Sequence, residues 1–215
     1  MTTEERRRHD PFKWNYVKGL PRTGFYNMPV LQPCYYVGDC DIVPFSRAKR
    51  EKLSGKKWIS FFGEGEECES LWNNLRQYKK MVGRFQGCFG PDFRVGDGVI
   101  KIEQIWNCWR NNVITRNFQN WGAPVIPNVS LTREYCLEWV LPALPVNSVL
   151  ATRLPDFKEF DAEFEHAWKY CLETVIKEKR PLLIHFFGRS WDVESLGFSV
   201  PFRFHHIEDG RQSFN

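Results

Sequence analysis

The sequence of 215 residues predicts an α/β protein whose strands and helices alternate around a mainly parallel sheet. Three observations support that class. Residues 87–130 read as strand, long helix and strand, which is a parallel crossover. Pro181 to Gly188 is almost wholly apolar, as a strand covered on both faces must be. Apolar runs recur near 58–62, 87–90, 124–129, 148–152 and 181–187, with a weaker one near 201–205, and helical patterns separate them. That count is low for a closed eight-stranded barrel. The expected architecture is an incomplete or distorted β/α barrel, with an open doubly wound sheet as the alternative.

Residues 1–10 form a charged terminus containing Arg6-Arg7-Arg8, and residues 11–215 are long enough for a single domain. Residues 11–57 are expected to wrap over it as an extension. From Pro11 to Phe45 the chain is dense in proline, glycine and aromatic rings without a period, and rings so dense do not stay in water as a linker. Ser46 is placed to cap a short helix carrying Arg47, Lys49, Arg50 and Lys52, which Lys56 and Lys57 extend to a net charge of +5 once Glu51 is counted. This cluster reads either as a solvated face or as a nucleic-acid or phosphate-binding patch.

Trp58 to Phe62 is the first convincing strand. The Gly63-Glu64-Gly65 that follows only superficially resembles a phosphate cradle, because Glu64, Glu66, Glu67 and Glu69 would repel a phosphate. A helix from Glu69 to Arg84 buries Leu71, Trp72, Leu75 and Met81. The next apolar run stops at Gly90-Pro91, leaving Asp92 just beyond the strand. Between Val99 and Trp121 apolar residues recur at helical spacing until Gly122 and Pro124. That helix carries five asparagines, against propensity, which implies either a buried amide network or a site built on it.

Val125 and Ile126 open a strand ending in Pro127-Asn128-Val129-Ser130, and Thr132 caps a short helix through Leu141. Ser148 to Thr152 leads to Arg153. Asp156 with Glu159 resembles a capping box, and the following helix has a core face of Phe164, Trp168, Cys171 and Val175. His185 reads as a hydrogen-bonded core histidine, and His205 and His206 lack further ligands.

Net charge is +4, compatible with phosphorylated partners without demanding them. Nine tryptophans suggest stacking surfaces or a ring-filled core. Seven scattered cysteines show no zinc spacing, so no metal and no cofactor is expected, and the thiols read as buried and reduced. The absence of any apolar run near twenty residues leads to the expectation of a cytoplasmic protein with no membrane partner.

In a parallel sheet, ligands sit where strands end. That rule selects Asp92 as a catalytic residue, acting as a base or binding a metal, and Glu64, Asn128, Ser130, Arg153 and Arg189 as ligand-binding residues; Arg110 and Asn111 join them from the helix. The competing reading is that Asp92 caps its loop and the arginines are surface groups. Separately, Ile59-Ser60-Phe61-Phe62-Gly63 to Leu71 matches Ile184-His185-Phe186-Phe187-Gly188 to Leu196 in spacing, a pattern compatible with either duplication or chance.

Phe61-Phe62, Glu69-Ser70-Leu71-Trp72-Asn73, Gly90-Pro91-Asp92-Phe93, Gln104-Ile105-Trp106-Asn107, Trp109-Arg110-Asn111 and Val125-Ile126-Pro127-Asn128-Val129-Ser130 occur in order. Together they resemble the bacterial and phage family known as domain of unknown function 4417. Met28-Pro29-Val30-Leu31 and Ile42-Val43-Pro44-Phe45 resemble its N-terminal pattern, so the likeness runs from about Asn27 to Gly188. The resemblance implies a compact α/β protein carried by phages and mobile elements, and supplies no catalytic assignment. Asn112 stands where a second basic residue after Arg110-Asn111 is expected, which argues against a two-arginine clamp.

Three functions follow as expectations. The first is a mobile-element protein that binds nucleic acid or a phosphorylated ligand. The second is a small hydrolase or transferase with a strand-end site around Asp92. The third is a phage factor that binds a host component. The sequence leaves open which of the three holds and whether the chain acts as an oligomer.

Overall fold

The computed structural model describes residue 10 and residues 12–52, 54–63, 65–96, 98–189, 197 and 199–207. A one-turn helix α1 (Trp14–Val17) and an antiparallel hairpin of β1 (Arg22–Thr23) and β2 (Met28–Pro29) come first. Then follow β3 (Asp41–Pro44), α2 (Phe45–Ala48), β4 (Lys57–Ser60), α3 (Gly65–Val82), β5 (Gly87–Phe89), α4 (Lys101–Asn120) and β6 (Val125–Ile126). Short turns over 134–143 include α5 (Leu137–Val140), and the chain ends with β7 (Val149–Arg153), α6 (Ala162–Lys179), β8 (Leu183–Gly188) and β9 (Phe202–His206). Among the described residues no helix is long and apolar enough to cross a membrane.

Strands β3 to β6 pair in parallel, and so do β7 to β9. One parallel bridge between Asn128 and Ala151 joins the two sets. There the Ala151 N–H donates to the Pro127 carbonyl at 2.9 Å and the Val129 N–H to the Ala151 carbonyl at 2.7 Å. The strands therefore stand side by side in chain order, without the reversal that an open doubly wound sheet requires.

Alternation along each strand separates two faces. Outward residues Ile59, Cys88 and Val125 pack with α3 and α4, while Leu150, Ile184 and Phe186 pack with α6. Inward residues Trp58, Phe89, Ile126, Val149, Ala151 and Leu183 make a third cluster. In it Phe62, beyond β4, stacks on Phe187 of β8 with ring centroids 4.1 Å apart. Those strands are four places apart in the order, so the sheet must be curled for the rings to meet. The fold is an incomplete β/α barrel. Its edges β3 and β9 share no ladder among the described residues. Arg203 of β9 spans that side, donating to the Gly38 carbonyl and pairing with Asp39 at 2.9 Å. Room for the Trp58 indole comes from Gly87 beside it, where a Cβ would stand 2.4 Å from the ring.

Five local expectations need correction. Ser46 lies inside α2, whose N-cap is Pro44, and Arg133 rather than Thr132 precedes the turns over 134–143. Asp41–Pro44, within the stretch expected to wrap as an extension, is the first strand of the parallel sheet; only Ile42 and Val43 carry its apolar signal, and Pro44 ends it. The cap of α6 is Asp161, which accepts from the Phe164 N–H at 2.7 Å, whereas Asp156 caps only a single 3-10 turn. Helix α3 starts at Gly65 rather than Glu69 and leaves helical geometry at Asn74. In the apparent internal repeat, Phe62 and Phe187 occupy matching places and face each other; its 190–196 portion lies outside the described residues.

Candidate functional site at the strand ends

Gly90 directly follows β5, and a Cβ there would stand 2.9 Å from the Asn128 nitrogen and from Thr115 Oγ1. This close approach brings the Asp92 loop against the end of β6. Asp92 Oδ1 accepts from Asn128 Nδ2 at 3.2 Å, and Asp92 Oδ2 accepts from Arg153 Nε at 2.6 Å. Three residues from the ends of β5, β6 and β7 thus converge. Asn128 Nδ2 also donates to the Pro91 carbonyl at 2.8 Å, while its buried Oδ1 has no partner among the described residues.

Burial is asymmetric within the ion pair: the Asp92 side chain is 6% exposed and that of Arg153 is 42% exposed. Since Asp92 takes the Nε edge, the guanidinium is presented outward; its Nη2 reaches the Gly63 carbonyl at 3.4 Å. An arginine held in this way is suited to a two-pronged grip on phosphate or carboxylate. Both Asp92 oxygens are engaged, so the carboxylate positions Arg153 and becomes available as a base only if that pair opens.

Asn111 and Ser130 lie behind this cluster. Asn111 Oδ1 accepts from the Phe93 N–H at 3.0 Å, and its Nδ2 donates to Ser130 Oγ at 3.1 Å. Other amides of α4 do similar work: Asn107 donates to the Arg94 carbonyl at 2.6 Å, Gln104 to the Val99 carbonyl at 2.7 Å and Asn117 to the Tyr16 carbonyl at 3.0 Å. A helix of poor propensity is thereby stitched to the loops that carry the site.

Arg110 is not in the cluster. It pairs with Glu69 at 2.6 Å, donates to Asn107 Oδ1 and lies 3.8 Å above the Phe93 ring. Arg189 follows β8 and is exposed, and Glu64 lies outside the described residues. Of the basic cluster, Arg47, Lys49, Arg50, Lys52 and Lys56 are exposed, while Lys57 is half-buried and pairs with Glu51 at 3.2 Å. Arg47 stands just past the C-terminal end of β3 and Lys57 at the N-terminal end of β4, so the run extends from one end of the sheet to the other.

Two further features concern Cys68, which carried no sequence signal, and His185, which is the hydrogen-bonded core histidine expected and whose partner is His205. The Cys68 thiol lies near Asp92; burial, then the Asp92 charge, push it up to about 12, which makes it a neutral thiol and not a nucleophile at pH 7. Within the lumen, His185 Nδ1 is 2.7 Å from His205 Nε2. Burial foremost, then His205 and Arg203, hold His185 down to about 3; burial and Arg203 hold His205 down to about 4. Both rings are neutral, and the buried His185 Nε2 has no partner.

A cavity of about 260 Å³ lies between α2 and α3 and is lined by Phe45, Ser46, Lys49, Glu67, Ser70 and Tyr78. A larger one, about 670 Å³, opens at the opposite end of the barrel beneath residues 32–36, around Trp58, Gln86 and Gln119. Among the described residues no charged side chain lines it, so acid, base or anion chemistry points to the strand ends instead.

No curated protein and no solved structure matches the chain. A family model described as a domain of unknown function, DUF4417, matches residues 20–203, and the chain therefore belongs to the DUF4417 family.

Proposed function

We propose that this DUF4417 protein binds a phosphorylated ligand at the strand ends, with Arg153 as the anion anchor and Asp92 and Asn128 as the residues that aim it. One observation carries the reading: a buried carboxylate grips Nε of a guanidinium whose side chain is 42% exposed. The partnerless Asn128 Oδ1 adds an acceptor for a ligand hydroxyl. Orthophosphate should raise the melting temperature of the wild-type protein in a concentration-dependent way, and Arg153→Ala should remove that effect. A wild-type melting temperature that ignores orthophosphate would refute the reading.

A second reading is that the bound phosphates belong to nucleic acid. The exposed Arg47, Lys49, Arg50 and Lys52 favour it. It requires binding that weakens steeply with salt and that is reduced by charge reversal at those four positions.

A further inference from the structure

Gly63 and Glu67 link the strand-end cluster to the 260 Å³ cavity. The Gly63 carbonyl meets Arg153 Nη2 at 3.4 Å, and on the same residue a Cβ would stand 3.0 Å from Glu67 Oε2. Glu67 also lines the cavity, so it stands between the cavity and the Gly63 carbonyl on which Arg153 rests.

The lining selects what enters. Among the described residues Lys49 and Glu67 are its only charged groups and they cancel, so a second phosphate gains nothing there. Ser46, Ser70 and Tyr78 supply hydroxyls that both donate and accept. The Ser70 and Tyr78 hydroxyls are 2.7 Å apart, an arrangement that commits one hydrogen between them and leaves the other to point away. Phe45 and Tyr78 add ring surface, with centroids 5.1 Å apart. The volume falls below the roughly 300–1,000 Å³ of pockets for drug-sized ligands. It suits a single ring.

Building on the anion-anchor reading, we infer that the ligand is a sugar phosphate: its phosphate lies on Arg153 and its hydroxyl-bearing ring enters the cavity beside Ser70 and Tyr78. Calorimetric titration of the full chain with orthophosphate and with ribose 5-phosphate tests this. Ribose 5-phosphate is expected to bind at least tenfold more tightly than orthophosphate. Tyr78→Phe and Ser70→Ala, chosen because each keeps the packing, are expected to erase that margin and leave orthophosphate binding unchanged. Equal binding of the two probes by wild type would overturn the sugar subsite while leaving the anion anchor standing. An equal loss for both probes in either variant would overturn it too. If neither probe binds wild-type protein, the anchor itself fails and the inference fails with it.

Discussion

Phe62 and Phe187 lie face to face across the barrel lumen, their planes 5° apart and their centroids separated by 4.1 Å. One follows β4 and the other belongs to β8, so this contact reports the curl of the sheet more directly than any ladder bond. Both are buried, and truncating either to alanine is expected to cost about 3–5 kcal/mol through lost transfer energy and a cavity. A double-mutant cycle by urea unfolding should return a coupling of about 0.5–1.5 kcal/mol. Strictly additive losses would mean that the rings do not meet.

The imidazole pair makes stability depend on pH. Both folded-state values, about 3 for His185 and about 4 for His205, lie below the ordinary 6.5, so the unfolded chain binds more protons between those limits. Stability contributed by the neutral pair is therefore full above pH 6.5 and declines as pH falls towards 4. At pH 5, His185 alone should account for a loss of about 2 kcal/mol, taking about 1.4 kcal/mol per unit. Urea midpoints at pH 7 and pH 5 should differ markedly in wild type and less in His205→Gln. An identical difference in both would show that the pair does not govern the slope.

Asn111 tests whether the amides of α4 hold the site loops. It is 1% exposed and serves both the Phe93 N–H and Ser130 Oγ. Asn111→Ala should cost about 1–3 kcal/mol by leaving that N–H unpaired, whereas Asn120→Ala, at an exposed position, should stay within about 0.5 kcal/mol. Similar midpoints for the two variants would reduce the network to surface decoration.

Elements with a strong period were legible in advance: α4, α6 and the apolar β8 stand close to where periodicity puts them. The convergence of Asp92, Asn128 and Arg153 rested on a topological rule, that parallel strands in chain order bring their C-terminal ends to one side. Strand β3 was hidden because two apolar residues among prolines and glycines make no pattern. Arg110 stands one helical turn from Asn107 and across from Glu69, a pairing between helices that no linear spacing announces. Cys68 and the pairing of His185 with His205 were invisible for a similar reason, since each depends on a neighbour from a different strand or helix.

The central claim is that the orientation of Arg153, and not merely its charge, makes the strand ends an anion site. Lysine keeps the charge but offers no fork, and it cannot engage Asp92 while presenting a second edge outward. The direct measurement is the orthophosphate affinity of Arg153→Lys beside wild type, by calorimetry at fixed salt. The account predicts at least a tenfold loss, equivalent to about 1.4 kcal/mol. R153K binding orthophosphate as tightly as wild type would contradict it.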